Sequence, residues 1–328
     1  MATELTTNGD MSNVLPIASK KPERTGAFMR PVITFPNARS AFKAYLLSLG
    51  LSSFRSKVLL PSYIGWSPNE GSGVFDPIQE VGTGFAFYRI RRDLTIDLED
   101  LIAKMTADHN VKLLVVIHYF GYPDPCLREA VAFAKRLGVP VLEDEAHSLF
   151  SDWVGGVCGR LGDAAIFSLH KLLPFKSGGL LQLMPPVQPR SLRDLECSPL
   201  RRPLEGNILD YDLLEISRIR RRNAARLLKD IKPLRPAVLP LRPILPAGVV
   251  PQSLPVIINE HSRDDLYFKL NAAGFGVVSL YHTLIDPIQP KDYPESHWLA
   301  KRILNLPCHQ YISVNETKAL VAKLSELL

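Results

Sequence analysis

The chain has 328 residues, 46% of them apolar and 22% charged, which suits one large soluble domain with a smaller one. Its net charge of +6 comes from scattered basic residues without interleaved aromatic residues, so we expect no nucleic-acid partner. No run reaches the roughly 18 apolar residues of a membrane span, and the N-terminus lacks an apolar signal core, so we expect no membrane partner either. The four cysteines are widely spaced, which predicts free thiols and a cytoplasmic protein.

The N-terminal part of the chain combines a polar tail with an amphipathic helix. Residues 1–28 are polar and show no period, which predicts a mobile N-terminal arm. In Phe35–Leu51, apolar residues recur every three to four positions, and Asn37 is a favourable N-cap. The free backbone N–H groups at such a helix start can hold a phosphate, although most capped helices bind nothing.

Strands and helices alternate from Lys57 to Phe167. The predicted strands are Lys57–Leu60, Gly84–Arg89, Val111–His118, Val139–Leu142 and Ala164–Phe167, and predicted helices begin at Asp97 and Pro125. This alternation is typical of a mainly parallel α/β sheet, in which ligands bind beyond the carboxyl ends of the strands. Four polar or turn-forming positions lie at or just past such ends: Pro61, His118, Asp144 and Ser168. We therefore expect one shared site at that edge.

The C-terminal part of the chain reads as a second α/β unit. Residues 185–203 are rich in proline and arginine, which predicts a connector. After it we predict helices at Asp212–Ile231, Arg263–Ala273 and Asn315–Leu328 and a strand at Leu254–Ile258. The predicted domains are therefore a large one, residues 29–205, and a small C-terminal one, residues 206–328.

The stretch Val141–Leu183 concentrates the residues that can do chemistry. Asp144 follows an apolar strand within Glu-Asp-Glu-Ala-His, and Lys171 comes three residues after Ser168. Asp144 and His147 could supply two metal ligands, but nothing nearby completes a metal site, and we predict none. Spacing alone leaves Lys171 open between a surface loop residue and a Schiff-base lysine of a pyridoxal 5′-phosphate (PLP) site.

The run EDEAH…GGVCGRLGDAAIFSLHK…SGG resembles the motif of the DegT-type sugar aminotransferases, which are fold-type I PLP enzymes. The resemblance implies that Asp144 pairs with the pyridine nitrogen and that His147 lies near the ring oxygen. It also implies that Ser168 binds the phosphate and that Lys171 is the Schiff-base lysine, with Lys176 as the rival. The implied fold is a mainly parallel seven-stranded sheet flanked by helices, with a smaller C-terminal α/β domain.

Further segments extend the resemblance and also show departures from it. FPNARSAF resembles the family's phosphate-binding helix start, but Ala38 and Arg39 replace its usual Gly-Thr pair. In PSYIGW, either Tyr63 or Trp66 is implied to stack on the ring, and a core aromatic is about as plausible for each. LVVIHYFGYPDP implies that His118 and Tyr119 line the site edge.

The family's Gly-x-Asn-x-Arg hairpin is reduced here to Glu205-Gly206-Asn207. The resemblance implies that Asn207 is the ligand that reaches the phosphate of the partner subunit. Because that hairpin also helps to hold a nucleotide-sugar, its shortening suggests a smaller or differently bound substrate.

The function implied by the resemblance is transfer of an amino group from glutamate or glutamine to a keto-sugar, possibly nucleotide-linked, by a homodimer in sugar or polysaccharide biosynthesis. A PLP-dependent sugar dehydratase is a less favoured alternative, because dehydratases of the family replace the lysine with histidine. The altered helix start and hairpin keep open a catalytically degenerate or regulatory protein. An unrelated nucleotide-binding protein is disfavoured because GxGxxG and P-loop signatures are absent from the sequence.

Overall fold

The computed structural model describes residues 30–185 and 189–328, so the predicted arm at residues 1–28 lies outside the described residues. Its first half is built on a seven-stranded sheet in the order β1-β7-β6-β5-β4-β2-β3. The strands are β1 (Val32–Phe35), β2 (Lys57–Pro61), β3 (Gly84–Tyr88), β4 (Val111–Ile117), β5 (Val141–Asp144), β6 (Ala164–Ser168) and β7 (Gly179–Leu183). Only β7 runs against the others, since it is antiparallel to both β1 and β6. The predicted mainly parallel seven-stranded sheet is thus confirmed.

The described residues of this half form six helices, and the sequence predicts three of them, in Phe35–Leu51 and from Asp97 and Pro125. The six are α1 (Ala38–Ser48), α2 (Phe75–Val81), α3 (Leu98–Ala107), α4 (Leu127–Arg136), α5 (Leu149–Trp153) and α6 (Pro189–Glu196). The Asn37 side chain caps α1 by accepting a hydrogen bond from the backbone N–H of Ser40 at 2.8 Å. The predicted connector at residues 185–203 is corrected, because it contains α6.

Gly179 determines where α1 begins relative to the sheet. A Cβ at this position would lie 2.1 Å from the backbone carbon of Asn37, so only glycine allows the α1 N-terminus to pack directly on β7. Ser168, at the end of β6, is paired with Gly179 in the ladder. The N-terminus of α1 and the loop between β6 and β7 are therefore neighbours at one sheet edge.

The second half packs helices on a small antiparallel sheet with a core of its own. The sheet has the order β10-β9-β8, with β8 (Val238–Pro240), β9 (Ser253–Ile258) and β10 (Ile303–Pro307). The helices are α7 (Leu213–Asp230), α8 (Arg263–Ala272), α9 (Pro294–Ala300) and α10 (Val314–Leu327). Buried residues of α7, β9, α8, β10 and α10 share one apolar cluster. The predicted division into a large domain and a small domain at residue 206 stays a prediction.

Two further observations concern membrane-spanning helices and cysteines. Among the described residues, no helix combines the length and the apolar character needed to cross a membrane. All four cysteines carry free thiols, and those of Cys158 and Cys308 are buried.

Candidate active site

The carboxyl ends of β5 and β6 open into a cavity of about 600 Å³. Because these strands are parallel and Asp144 is paired with Ile166, the ends of both strands reach the same edge. Lys171, in the loop after β6, lines the same cavity as Asp144 and His147. The predicted residues that the cavity brings together are Ala38, Arg39, Trp66, Asp144, His147, Ser168, Lys171 and the rival Lys176.

Lys171 and His147 form the closest polar contact in this group. Lys171 Nζ lies 3.2 Å from His147 Nε2. Burial lowers the pKa of the Lys171 amine from its ordinary 10.5, and the nearby Asp144 carboxylate opposes that shift. Burial, reinforced by the charge of Lys171, lowers the pKa of His147 well below 6.5. Both groups are therefore biased towards their neutral forms, and a neutral amine is the nucleophilic form of lysine.

Asp144 is a buried carboxylate that retains capacity to accept hydrogen bonds. Its side chain Oδ1 accepts the backbone N–H of Ala146 at 2.9 Å, and the residue is 4% exposed. Burial raises the pKa of Asp144, whereas the Ala146 hydrogen bond and the charge of Lys171 lower it. A cationic ring nitrogen placed in the cavity would give this carboxylate the partner that burial demands.

The other end of the cavity meets the N-terminus of α1. Ala38 and Arg39 form its first turn, and their backbone N–H groups are not used by the Asn37 cap, which takes that of Ser40. The Arg39 guanidinium is turned towards the following loop, since it donates to the Glu70 carbonyl and lies 3.6 Å from Asp76 Oδ2. Arg39 therefore offers its backbone N–H and only part of its side-chain charge to an anion here.

Some predicted positions lie outside the cavity wall. Tyr63 is fully buried beneath it and shares hydrogen bonds with the backbone of Tyr281, so of the two aromatic candidates only Trp66 lines the cavity. His118 and Tyr119 are also buried below the edge rather than lining it. Asn207 is exposed, outside the cavity of its own chain, and accepts the backbone N–H of Leu209 at 3.0 Å. Its reach to a partner subunit stays a prediction.

Several cavity residues were missed by the sequence interpretation. They include Ala146 and His170, which adjoin predicted residues, and Glu70, Tyr267, Tyr281 and His282, which come from loops and from the second half of the chain. Tyr281 is brought in because Gly65 leaves room for its ring, which a Cβ at Gly65 would meet at 2.0 Å. No local pattern could reveal that contact, because it joins segments more than 200 positions apart.

A separate buried group of side chains lies outside the cavity wall. In the described part of the chain, His118, Glu145 and Cys158 are a set whose ligand atoms are close enough to hold a metal. However, both ring nitrogens of His118 are engaged, Nε2 with Glu143 Oε2 at 2.8 Å and Nδ1 with the Asp124 N–H at 3.3 Å. The histidine has no free lone pair to offer, so it could not ligate a metal in this arrangement.

Comparison with known proteins agrees with this geometry. Residues 27–186 match the model of the DegT/DnrJ/EryC1/StrS aminotransferase family. A transaminase from Campylobacter jejuni, named for UDP-4-amino-4,6-dideoxy-N-acetyl-beta-L-altrosamine, is 24% identical over 148 residues, which are 44% of this chain and 37% of the relative. The chain thus matches well under two thirds of that relative's length.

Solved structures share the fold over most of the chain. The aminotransferase TlmJ from Streptoalloteichus hindustanus is 21% identical with a TM-score of 0.73, covering 90% of this chain and 86% of its own. The PLP form of Spr1654 from Streptococcus pneumoniae is 15% identical with a TM-score of 0.74, covering 90% of this chain and 86% of its own. The family resemblance of the sequence motifs is confirmed for residues 27–186, which carry Asp144, His147, Ser168 and Lys171 and match the model of the DegT/DnrJ/EryC1/StrS aminotransferases.

Proposed function

We propose that this chain is a PLP-dependent aminotransferase that moves an amino group from glutamate or glutamine to a keto-sugar. The observation that carries the proposal is the shared cavity of Lys171 and Asp144, with His147 Nε2 3.2 Å from the lysine amine. A lysine amine of lowered pKa and a buried carboxyl group that a cationic ring nitrogen could ionise are the pair that such chemistry needs at one cavity.

The residues present fit PLP at three points. Asp144 offers a buried carboxylate to a protonated ring nitrogen, and Lys171 offers an amine to a carbonyl carbon. Ser168 and the backbone N–H groups of Ala38 and Arg39 offer donors to a phosphate at the N-terminus of α1. When bound, PLP would supply a reactive carbonyl and a ring that withdraws electrons from the donor's α-carbon. The exposed face of Trp66 at the cavity wall is suited to cover that ring.

Within this arrangement each side chain of the protein has a distinct task. With PLP bound, the Lys171 Nζ would be the nucleophile that holds the cofactor. Once the amino donor has displaced it, the free amine would be the general base that takes the proton from the donor's α-carbon and the general acid that gives it to the former carbonyl carbon of PLP. Asp144 holds negative charge opposite the ring nitrogen, so that the nitrogen keeps its proton. His147 orients the amine of Lys171 through the 3.2 Å contact.

The substrate class is supported by the cavity and by the named relative. The volume of about 600 Å³ exceeds what the cofactor alone requires, and its outer wall carries Tyr267, His282 and Asn69, which can hydrogen-bond sugar hydroxyls. The Campylobacter jejuni relative is named for an amino-sugar nucleotide. We therefore place a keto-sugar, possibly nucleotide-linked, in the outer part of the cavity.

A homodimer is part of the proposal. Asn207 is exposed, and Leu209 and Leu214 beside it are 80% and 72% exposed, which is unusual for leucines unless a partner covers them. A second copy would bury these side chains and bring Asn207 to the neighbouring phosphate site. We also place the protein in the cytoplasm, and the free thiols support that compartment.

The test uses the full-length chain reconstituted with PLP. Addition of glutamate or glutamine should convert the cofactor's visible absorbance to that of pyridoxamine phosphate, and a keto-sugar should reverse the change. Borohydride reduction before donor addition, followed by peptide mapping, should place the cofactor on Lys171 rather than Lys176. Bound PLP without spectral change for any amino donor would rule out transamination. Failure to take up PLP at all would support the degenerate, regulatory alternative.

A further inference from the structure

His147 is held on three sides by the backbone and ring of one residue and by the candidate nucleophile. The backbone N–H of Phe120 donates to His147 Nδ1 at 3.3 Å. The Phe120 ring is stacked on the imidazole, with centroids 5.7 Å apart and an interplanar angle of 11°. On the opposite edge of the imidazole, Nε2 lies 3.2 Å from Lys171 Nζ. The histidine that makes these three contacts is 3% exposed.

The hydrogen-bond inventory allows one arrangement of protons without a conflict. A backbone N–H can only donate, so Nδ1 must carry the lone pair and the ring proton must be on Nε2. Nε2–H then donates, which requires a lone pair on the Lys171 amine. If Lys171 were an ammonium that donates to Nε2, the proton on Nδ1 would face the N–H of Phe120. Two donors would meet in a buried site, an arrangement that structures avoid.

Phe120 can make this contact because its backbone adopts an uncommon conformation. Its φ of 58° and ψ of 20° lie in the left-handed region, which is rare for a bulky residue. The conformation is held from the second half of the chain, since the Gln252 N–H donates to the Phe120 carbonyl at 2.8 Å. The next carbonyl, that of Gly121, accepts Ser151 Oγ at 2.7 Å. A strained residue that is anchored on both sides and contacts the site is typical of a positioning role.

We infer that Phe120 is a positioning residue: its backbone N–H holds His147 as the Nε2–H tautomer and thereby aims that proton at the lone pair of a neutral Lys171. Phe120 acts on Lys171 only through His147. The inference rests on the proposed function in one respect, namely that Lys171 acts as a nucleophile. The charged groups around Lys171 are Asp144, Glu70 and Arg39. The two carboxylates favour the ammonium form of Lys171. A hydrogen bond donated to the amine lone pair favours the neutral form, because an ammonium has no lone pair to accept it.

The decisive measurement is the tautomer of His147 in the full-length chain without added cofactor. Long-range proton–nitrogen NMR on histidine-labelled, deuterated protein distinguishes a protonated ring nitrogen from an unprotonated one, and His147→Gln identifies the signal. The expected pattern is a protonated Nε2 and an unprotonated Nδ1. A protonated Nδ1, or an imidazolium, at neutral pH overturns the inference.

Substitutions at Phe120 test the cause. Phe120→Asn removes the ring but tolerates the left-handed conformation, so the Nε2–H tautomer should persist. Phe120→Val strongly disfavours that conformation, so the N–H should turn away and the tautomer should become mixed. The rate of covalent PLP incorporation at neutral pH should then fall by about tenfold in Phe120→Val, as for a rise of one unit in the pKa of Lys171, and by less than about twofold in Phe120→Asn.

A matched control introduces valine at another residue whose φ is positive but which lies outside the cavity. Glu260 is exposed and also has a positive φ, 62°, in the turn before α8. Glu260→Val should leave both the tautomer and the incorporation rate unchanged. An unchanged tautomer in folded Phe120→Val overturns the inference, and if that variant does not fold, the wild-type and Phe120→Asn spectra decide it. Transamination by a chain with Nδ1–H would refute the positioning role alone, whereas Nε2–H in a chain that never takes up PLP would refute the proposed function alone.

Discussion

Three consecutive acidic residues lie at the end of β5 and directly after it, and their surroundings differ completely. Asp144 lines the cavity, whereas its strand neighbour Glu143 and the following residue Glu145 are fully buried away from the cavity wall. Glu143 accepts hydrogen bonds from His118 Nε2 at 2.8 Å and from the backbone N–H groups of Gly159, Leu161 and Gly162. Asp144 has one such donor and a lysine nearby.

The difference separates a structural carboxylate from a functional one. Burial opposes ionisation of Glu143, but the hydrogen bonds from His118, Gly162 and Gly159 outweigh it and lower its pKa to about 2. For Asp144 burial prevails, and the pKa is raised. A fully satisfied carboxylate stabilises the fold and has nothing left to offer a ligand, whereas an under-satisfied one at a cavity can bind a cation.

The largest expected effect is that of removing the lysine on the cavity side. Lys171→Ala should abolish covalent attachment of PLP and reduce the rate of glutamate-dependent conversion by about 10³-fold or more, because both nucleophile and general base are lost. Borohydride reduction with mass spectrometry measures attachment, and stopped-flow absorbance measures conversion.

Lys176→Ala is the matched control, since Lys176 lies in the same loop, lines the same cavity and is exposed. It should retain covalent attachment and conversion within about threefold. If Lys176→Ala abolished covalent attachment of PLP and Lys171→Ala retained it, Lys176 would be the nucleophile.

The next effect distinguishes Asp144 from its neighbours. Asp144→Asn keeps an oxygen for the Ala146 N–H, so the fold should persist, but an amide cannot hold a protonated ring nitrogen by charge. Conversion should fall by about 10²-fold, equivalent to roughly 2.7 kcal/mol, with little change in thermal stability. Stopped-flow kinetics beside a calorimetric melt would show whether activity and stability separate. Equal losses of both would mean that Asp144 is structural.

Glu143→Gln should show the opposite separation. One amide nitrogen would replace the oxygen that accepts from His118 and Gly159, so two buried donors lose their acceptor. We expect a loss of about 2 kcal/mol in the free energy of unfolding at neutral pH. Because the folded pKa is about 2 and the ordinary value is 4.5, this stabilisation is present above pH 4.5 and disappears as pH falls through about 2. Urea titrations at several pH values measure it, and a variant as stable as the wild type at neutral pH would contradict the structural assignment.

Strands β2 to β6 and the position of the site at their carboxyl ends could be predicted, because both depend on local pattern. Strands buried on both faces appear as apolar runs such as Val111–Ile117, and the cap at Asn37 is a local hydrogen bond. The choice between Tyr63 and Trp66 could not be made, since it depends on which one the Tyr281 segment covers. Tyr281 and His282 themselves were missed, because their segment has neither helix nor strand and is placed by contacts with residues near Gly65.

The acidic run itself shows the limit of a motif. The sequence identifies Glu143, Asp144 and Glu145 as a group, and the family resemblance assigns a role to Asp144 alone. Whether the flanking glutamates are satisfied depends on backbone donors that arrive from residues 159–162. Those donors are a property of the folded loop, because any residue other than proline can supply them.

The smallest expected effect concerns Glu145, whose carboxylate oxygens are buried without a hydrogen-bond partner in the described parts of the chain. Burial, together with Asp152 and Glu143, raises its pKa well above 4.5. The folded state therefore binds a proton that the unfolded state releases, so Glu145 costs more stability as pH rises above 4.5. Glu145→Gln mimics the protonated form and should raise the free energy of unfolding by about 1 kcal/mol at pH 8 and by much less at pH 4.

The exposed Glu129 on α4 provides the matched control, and Glu129→Gln should change stability by less than about 0.5 kcal/mol at either pH. Urea titrations of both variants and the wild type distinguish the effect of the buried Glu145 charge from the general effect of removing any one carboxylate charge. A loss of stability at pH 8 in Glu145→Gln would mean that the ionised carboxylate has a stabilising partner in solution. In that case the contrast along β5 would reduce to Asp144 against two structural glutamates.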